Sequence, residues 1–446
     1  MGPTTKQLRC PRCGRTYPPE TPTYGGCGTC AADGVGVNLV CDTAWDADEA
    51  RAAIQSRDVA SGLWRYGPLL PVPDRFAVTI GEGDTPLLHL DNLGREWGMT
   101  RLHVKVEGQN PTWSHKDRLC AVGVAAARWS GSSVVTGSST GNHGASVAAY
   151  AARAGLGCVI FTLSSVPATM KTLMQAYGAE VVACRTLEER YMIMLTCAER
   201  FGWFPLTNSM NPPIGSSPFG VDGYKTIAYE LWAQLGRAVP DWIVVPVAYG
   251  DCLAGIQRGW EDLRQLGLVD RVPRLVGAEV FGPLARALAS PDAPLGPMPT
   301  RPTHAFSIGG GHTTYQAVAA VRASNGTAAG APEDEMMQVQ LDLAGREGVY
   351  AEAASVLGLA VTRRLLRDGT IAPDDLVVSL LTSSGLKDPA ATAERLAEVA
   401  VIDPTVDALQ AALRREWRQL GRDVPSREGT YFAPIASPGL ALRESP

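Results

Sequence analysis

From about residue 100 onward, short apolar runs alternate with amphipathic stretches. The runs LHVKVE (102–107), SVVTGSS (133–139), CVIFTL (158–163), EVVAC (180–184), WIVVPV (242–247), RLVGAEV (274–280) and LVVSLLT (376–382) read as strands. They are rich in Val and Ile, and several end in Gly or Ser. Between them, segments near 117–129, 144–154, 167–177, 186–201, 223–236, 252–266, 312–323 and 350–368 carry helical periodicity. Strand–helix alternation predicts an α/β fold with mostly parallel sheets covered on both faces. Ligands in such folds sit beyond the carboxyl ends of strands, at helix N-termini, so the polar motifs that follow strands are where chemistry is expected. After residue 400 the pattern changes. Residues 404–420 read as one amphipathic helix, and the last 25 residues have no periodicity and read as a surface-draped or disordered tail.

The chain has 446 residues, enough for about three domain-sized units. Lys and Arg total 40 against 45 Asp and Glu, a formal charge of -5 that argues against a general nucleic-acid binder. The nearest approach to a membrane span, Ala154 to Met170, is interrupted by Gly155, Gly157 and Pro167, so no membrane partner is expected. The N-terminal MGPTTKQLRCPRCG carries no apolar signal core. The expected location is therefore the cytoplasm, where thiols stay reduced.

The 10 cysteines are unevenly placed, four of them within residues 10–30. Cys10-Pro-Arg-Cys13-Gly and Cys27-Gly-Thr-Cys30 form two CxxC pairs. Each makes a tight turn able to aim two thiolates at one ion, and two turns complete a tetrahedral zinc site. With four thiolates and no open position, such a site is structural. The alternatives are a redox CxxC, which needs only one pair, or four unpaired thiols. The expected module, residues 1–40, is a zinc ribbon stapled by its metal, because so short a segment cannot build a core alone.

Four polar motifs follow strands. In SHKDR (Ser114 to Arg118), Lys116 sits at a loop-to-helix entrance, where the positive dipole end favours a neutral, nucleophilic amine. The plain alternative is a loop lysine paired with Asp117. In TGSSTGNHGAS (136–146), backbone N–H groups at a helix start make an anion cradle, and Asn142 brings both a donor and an acceptor. His143 there is either a stacking partner or solvent-facing. VAYGDCLAG (247–255) is a Gly-bracketed turn able to hold a phosphate on backbone N–H groups, or else a plain βα loop. LLTSSGLKD (380–388) ends a late strand in three hydroxyls and a Gly.

In this order, these pieces resemble the pyridoxal-phosphate (PLP) enzymes of the tryptophan-synthase β-subunit fold, fold type II, and within it the threonine synthases most. The resemblance rests on GEGDTPL (81–87), NPTWSHKDR (110–118), SSTGNHGAS (138–146), EGVYAEAASVLG (347–358) and, more loosely, TSSGLKD (382–388). It covers about residues 80–390. The sequence departs from that family's pattern in four places. His115 stands where an apolar residue is usual. AYGDCLAG carries Asp251 where Asn is usual, so this carboxylate is expected to point away from a phosphate or to bind something else. Ser383 replaces a Gly, and the Gly run IGGGHTTYQ (308–316) has no clear counterpart.

The resemblance implies a two-lobed enzyme. Residues 41–118 and 220–420 would form the PLP-binding lobe, residues 119–219 a smaller inserted lobe, and residues 421–446 a tail. It implies that Lys116 holds PLP as a Schiff base and acts as the general base. Backbone N–H groups of Gly250, Asp251, Cys252, Leu253, Ala254 and Gly255 would hold the cofactor phosphate. Asn142 would meet the ring 3′-oxygen, and Thr382 the pyridine nitrogen. Ser138, Ser139, Thr140, Gly141 and His143 would bind the substrate, with Ser114, His115 and Arg118 beside Lys116. Arg118 either suits an anionic leaving group or pairs with Asp117. The implied reaction is PLP-dependent elimination and replacement on a phosphorylated amino acid, first of all O-phosphohomoserine plus water giving threonine and phosphate. A β-replacement on O-phosphoserine or an activated serine by a sulfur or nitrogen nucleophile, as in cysteate synthase, is the second reading. A PLP-fold protein without turnover is the third, and retention of Lys116 argues against it. Relatives with this fold are usually dimers, so a homodimer is expected by analogy.

Overall fold

The computed structural model describes residues 4–56, 62–290 and 295–413. Three sheets organise them. The first is a small antiparallel sheet with strand order Thr16–Tyr17, Thr4–Arg9, Val40–Ala44. The second has six strands in the order Thr327–Ala329, Arg274–Ala278, Trp242–Pro246, Val377–Leu381, Leu102–Val106 and Leu87–His89, all parallel except the last. The third is parallel throughout, in the order Glu180–Cys184, Gly157–Leu163, Val134–Ser138, Phe204–Pro205. In sequence, this third sheet lies between strands Leu102–Val106 and Trp242–Pro246 of the second.

The continuous apolar runs are explained by the two-sided burial of the six-stranded sheet. Every residue of Trp242–Pro246 and Val377–Leu381 is buried. Side chains alternate between two cores: Ile243, Val245, Val378 and Leu380 join one, and Trp242, Val244, Val377 and Leu381 the other. A strand wet on one face would alternate polar and apolar residues; a strand covered on both does not. Helix Lys116–Trp129 is likewise buried almost all round, from Asp117 to Ala127. Its small residues allow this. A Cβ on Gly123 would come within 2.5 Å of Leu206.

The parallel arrangement decides where chemistry can occur. Strands Leu102–Val106, Trp242–Pro246 and Val377–Leu381 run in one direction, so their carboxyl ends share one edge. The loops leaving that edge lead to Lys116, to Val247–Leu253 and to Thr382. The loop after Val134–Ser138 of the third sheet brings Ser139–His143 to the same cavity.

The described residues through Glu394 form one compact unit, and those from Arg395 on belong to a second. The lobe boundary expected at 420 lies outside the described residues, which reach residue 413 in that second unit. There the structure describes helix Val406–Ala412, capped by the Thr405 hydroxyl, which accepts the Ala408 N–H. The remainder of the helix expected over 404–420, and the 421–446 tail, lie outside the described residues. Among the described residues no helix is long and apolar enough to cross a membrane.

Candidate active site

Lys116 opens its helix, and the loop before it is pinned to the far side of the cavity. The His115 N–H donates to the Thr382 carbonyl at 2.9 Å, and Ser114 forms an antiparallel bridge with Ser383. His115 Nδ1 also reaches the Thr382 carbonyl at 3.1 Å. A carbonyl only accepts, so Nδ1 carries the proton and Nε2 is left as an acceptor. Burial, reinforced by the neighbouring Lys116 charge, holds His115 well below the usual histidine range, and the ring is neutral. Its face stacks on Tyr224, with centroids 5.4 Å apart and planes 23° from parallel. Lys116 Nζ, which lies along the cavity, donates to the Tyr224 hydroxyl at 3.2 Å.

The residues after Lys116 turn away from it. Asp117 pairs with neither Lys116 nor Arg118. Its carboxylate accepts from the Thr112 N–H at 2.7 Å, from the Thr112 hydroxyl and from the Ser146 hydroxyl at 2.6 Å, while burial lifts its pKa to about 6. Arg118 points out of the site. It is fully buried and bonded to both oxygens of Glu107 and both of Glu230, at 2.6–2.9 Å. Lys105 completes this cluster at 2.7 Å from Glu230. The expected leaving-group and Asp117 roles of Arg118 are therefore both overturned: its five donors are spent inside the core.

Asn142, at the start of helix Asn142–Ala154, bridges two charges. Its Nδ2 donates to Glu352 at 3.1 Å, and its Oδ1 accepts from Lys387 Nζ at 2.7 Å and from the Ser383 hydroxyl at 3.2 Å. Burial brings the Lys387 pKa down to about 8 against the opposing pull of Glu352 and Asp117. The Ser139 hydroxyl is engaged as the cap of this helix, accepting the Gly144 N–H at 2.8 Å and the Gly141 N–H at 3.2 Å. The N–H groups of Asn142 and His143 have no carbonyl one turn back to reach. Thr140, Gly141 and His143 line the cavity, whereas Ser114 and Ser138 do not. His143 Nε2 is shut away from solvent without a partner, and burial with the Lys116 charge keeps its ring neutral. The residue is half-buried in the cavity wall, with Nε2 turned from solvent.

The third wall is the start of helix Asp251–Gln265. Gly250 has φ +88°, and a Cβ there would lie 2.3 Å from that of Ala317, so only glycine fits. The N–H groups of Gly250, Asp251, Cys252 and Leu253 begin the helix without acceptors and border the cavity. The expected cradle is shorter than 250–255. The Ala254 N–H is spent on the Gly250 carbonyl, and Gly255, the next residue, has the Asp251 carbonyl one turn back. Gly255 instead lets a neighbouring segment approach: a Cβ would meet Tyr224 Cβ at 2.5 Å. Asp251 turns its carboxylate out of the cradle, where Oδ2 accepts from the Ser216 N–H at 3.1 Å and the Ser216 hydroxyl at 2.8 Å. Opposite, the Thr382 hydroxyl bonds Ser355 at 2.9 Å.

Sequence reasoning did not select Tyr224, Glu352, Ser355 or Lys387 as site residues, although three of them stand inside motifs it had marked. Ser307 was missed too; it donates to Glu352 at 2.8 Å from just before the Gly run 309–311. A larger groove, about 410 Å³, lies between the loop Pro19–Tyr24 and residues such as Trp129 and Trp203, but it holds no comparable convergence of reactive groups.

Away from this cavity, Cys10, Cys13, Cys27 and Cys30 converge, with all four Sγ atoms within 4.8 Å of one another. Cys10–Cys30 and Cys13–Cys27 are 3.6 and 3.7 Å apart. A tetrahedron with Zn–S bonds of about 2.3 Å has edges of about 3.8 Å. Gly14, at φ +76°, makes the first turn. The four thiols are thus gathered as one metal-sized cluster.

Comparison with known proteins gives concordant results. A family profile described as "Pyridoxal-phosphate dependent enzyme" matches residues 78–383. The chain is 33% identical over 414 residues to the threonine synthase of Methanocaldococcus jannaschii, covering 91% of this chain and 99% of that protein. It is 35% identical over 328 residues to the threonine synthase of Mycobacterium tuberculosis, covering 73% and 88%. Among solved structures, O-ureido-L-serine synthase superposes with a TM-score of 0.59 at 20% identity, covering 74% of this chain and 96% of the other. Maize serine racemase superposes with a TM-score of 0.60 at 19% identity, covering 70% and 91%. At such identities these two speak for the fold alone, and that fold is type II.

Proposed function

The chain belongs to the pyridoxal-phosphate-dependent enzyme family, as a relative of threonine synthase, and we propose that it converts O-phosphohomoserine and water to threonine and inorganic phosphate. The observation that carries this reading is identity of 33% sustained over 91% of the chain and nearly the whole length of a threonine synthase.

The residues present fit the cofactor. Lys116 would carry it through Nζ. The four free N–H groups of Gly250, Asp251, Cys252 and Leu253 suit its phosphate, and the outward turn of Asp251 removes the one carboxylate that would oppose it. Asn142 would meet the ring oxygen, its amide held by Glu352 and Lys387. Thr382 would face the ring nitrogen with a hydroxyl, which leaves that nitrogen largely unprotonated. When bound, the cofactor supplies an electron sink for a negative charge developing on the substrate Cα, mild enough to favour elimination and replacement. The chain's own groups do the rest. The N–H groups of Asn142 and His143 receive the substrate carboxylate, and the released Lys116 amine takes the Cα proton. Asp117 and the Ser139 cap hold the two helix starts in place.

The four cysteines fit zinc bound as a closed, structural tetrahedron, which would brace the small sheet and take no part in turnover.

A substrate panel on the purified, cofactor-loaded chain tests this reading, with phosphate release and mass spectrometry as readouts. Threonine and phosphate are expected from O-phosphohomoserine. Phosphate released only from O-phosphoserine with sulfite or a thiol would assign the β-replacement chemistry instead. Visible absorbance of a lysine-bound cofactor that survives in K116A would remove Lys116 from its role. The same preparation is assayed for zinc, and a folded, metal-free chain would refute the cysteine site.

A further inference from the structure

Tyr224 is the polar group that the fold brings to the reactive amine, and three independent features put it there. Its side chain is fully buried, and its hydroxyl lies 3.2 Å from Lys116 Nζ. Its ring is held from one side by the stacked His115, itself fixed by the Thr382 carbonyl. Gly255 clears the space for it, since a Cβ there would strike both Tyr224 Cβ, at 2.5 Å, and the Val221 carbonyl, at 2.7 Å. A phenylalanine would fill the same volume without a hydroxyl to satisfy, and burying an unneeded hydroxyl costs stability. The hydroxyl is therefore best explained by what it touches.

We propose that Tyr224 is the docking point of the Lys116 amine whenever that amine is free of the cofactor, holding Nζ in place while it exchanges a proton with the substrate Cα. This rests on the reading of Lys116 given above. The phenol oxygen accepts one N–H of the neutral amine, which leaves the nitrogen lone pair available. In the transfer, the Cα–H bond breaks, its electron pair stays on carbon, and a new N–H bond forms at Nζ. The resulting ammonium still donates to the same oxygen, so the amine keeps one anchor in both protonation states. Burial, together with the nearby Cys252 and Asp251, pushes the phenol's pKa well above its ordinary value. The hydroxyl thus stays neutral and does not become a competing base. Tyr224 contributes no proton of its own; its effect is to keep the amine from swinging between rotamers.

The test uses Y224F and, separately, H115L in the cofactor-loaded full chain. The probe is the non-hydrolysable phosphonate isostere of O-phosphohomoserine, which binds but cannot eliminate. Exchange of its Cα proton for deuterium is followed by mass spectrometry and expressed per loaded site, beside cofactor absorbance and thermal stability. The expected result for Y224F is cofactor loading and absorbance like the parent chain, with exchange slowed on the order of 10- to 100-fold. H115L keeps the hydroxyl but loosens its ring, and should give a smaller slowing in the same step. Exchange per loaded site equal to that of the parent chain in Y224F overturns the inference, even where total loading falls. A parent chain whose cofactor is not on Lys116 overturns the underlying functional reading instead, and the absorbance separates these two failures.

Discussion

Two polar clusters lie within one helical turn of each other, on either side of residues 116–118, and they are built on opposite rules. Around Arg118, two cations and two carboxylates are sealed in the core. Arg118 and Lys105 face Glu107 and Glu230, and Thr85, Asn110, Thr226 and Gln234 take up further bonds. Around Lys116, the groups are equally well placed but left incomplete. Four N–H groups lack acceptors at one helix start, His143 Nε2 has no partner, and Lys116 meets only a neutral phenol. Buried polarity that satisfies itself is architecture, whereas buried polarity left open calls for a ligand. The motif KDR contains both kinds, and its three side chains diverge into the cavity, the helix packing and the core.

The largest expected effect is on the sealed side. R118M removes the cation that serves both Glu107 and Glu230 and leaves two buried carboxylates to share Lys105. Breaking a buried pair in this way costs about 3–5 kcal/mol. Urea denaturation should show it as a lowered midpoint, while the molecules that remain folded should still bind cofactor. A loss below about 1 kcal/mol would mean that water reaches the cluster, and the contrast between sealed and open would fail.

Lys387 tests the border between the two rules, because it is satisfied by Asn142 yet charged in a buried place. Its folded pKa, about 8, is below its ordinary 10.5, so the folded chain holds this proton less tightly than the unfolded one. Below pH 8 both states are protonated and the fold bears the whole penalty. Between pH 8 and 10.5 the folded chain releases the proton while the unfolded chain keeps it, and stability rises with pH. The stability of the parent chain relative to K387M should therefore climb across that window, by on the order of 3 kcal/mol. Denaturation of both proteins at its two ends gives the difference directly. A flat difference would place the Lys387 charge in contact with solvent.

The fold was largely legible because its signals are redundant. Seven apolar runs became strands with boundaries shifted by a residue or two; burial on both faces keeps Trp242–Pro246 and Val377–Leu381 almost wholly apolar, while the largely exposed edge strand Glu180–Cys184 is carried by its Val pair. Short or weakly apolar edge pieces, such as Thr327–Ala329 and Leu87–His89, carried too little signal, and helix Glu333–Glu347 was hidden by its charged surface. In the site, the motifs showed which loops matter, but not the direction of each side chain. Nothing in the string KDR says that Asp117 turns to Thr112 and Arg118 to Glu230, because Glu230 is more than a hundred residues away. Tyr224 was invisible for the same reason. It follows no strand, and its value comes from a stack and a cleared space that only the packing creates.

The smallest effect probes the open side. His143 Nε2 is shut from solvent and unpaired, and its neutral ring has no charge to lose. In the ligand-free chain this is a deficit, and an unsatisfied buried polar atom costs about 1–3 kcal/mol. H143L removes the deficit while keeping an apolar body of similar reach, so the ligand-free protein should gain about 1 kcal/mol. In a chain of 446 residues that is a rise of about 1 °C in the melting temperature. The His143 ring lines the cavity, so an apolar, branched leucine in that wall should weaken binding of the phosphonate isostere. Opposite signs in the two measurements are what an open polar cluster requires: the same side chain burdens the ligand-free fold and shapes the wall that the ligand meets. If H143L is less stable and binds the isostere unchanged, then His143 belongs with Arg118 as architecture, and the boundary between the two clusters lies nearer to Lys116.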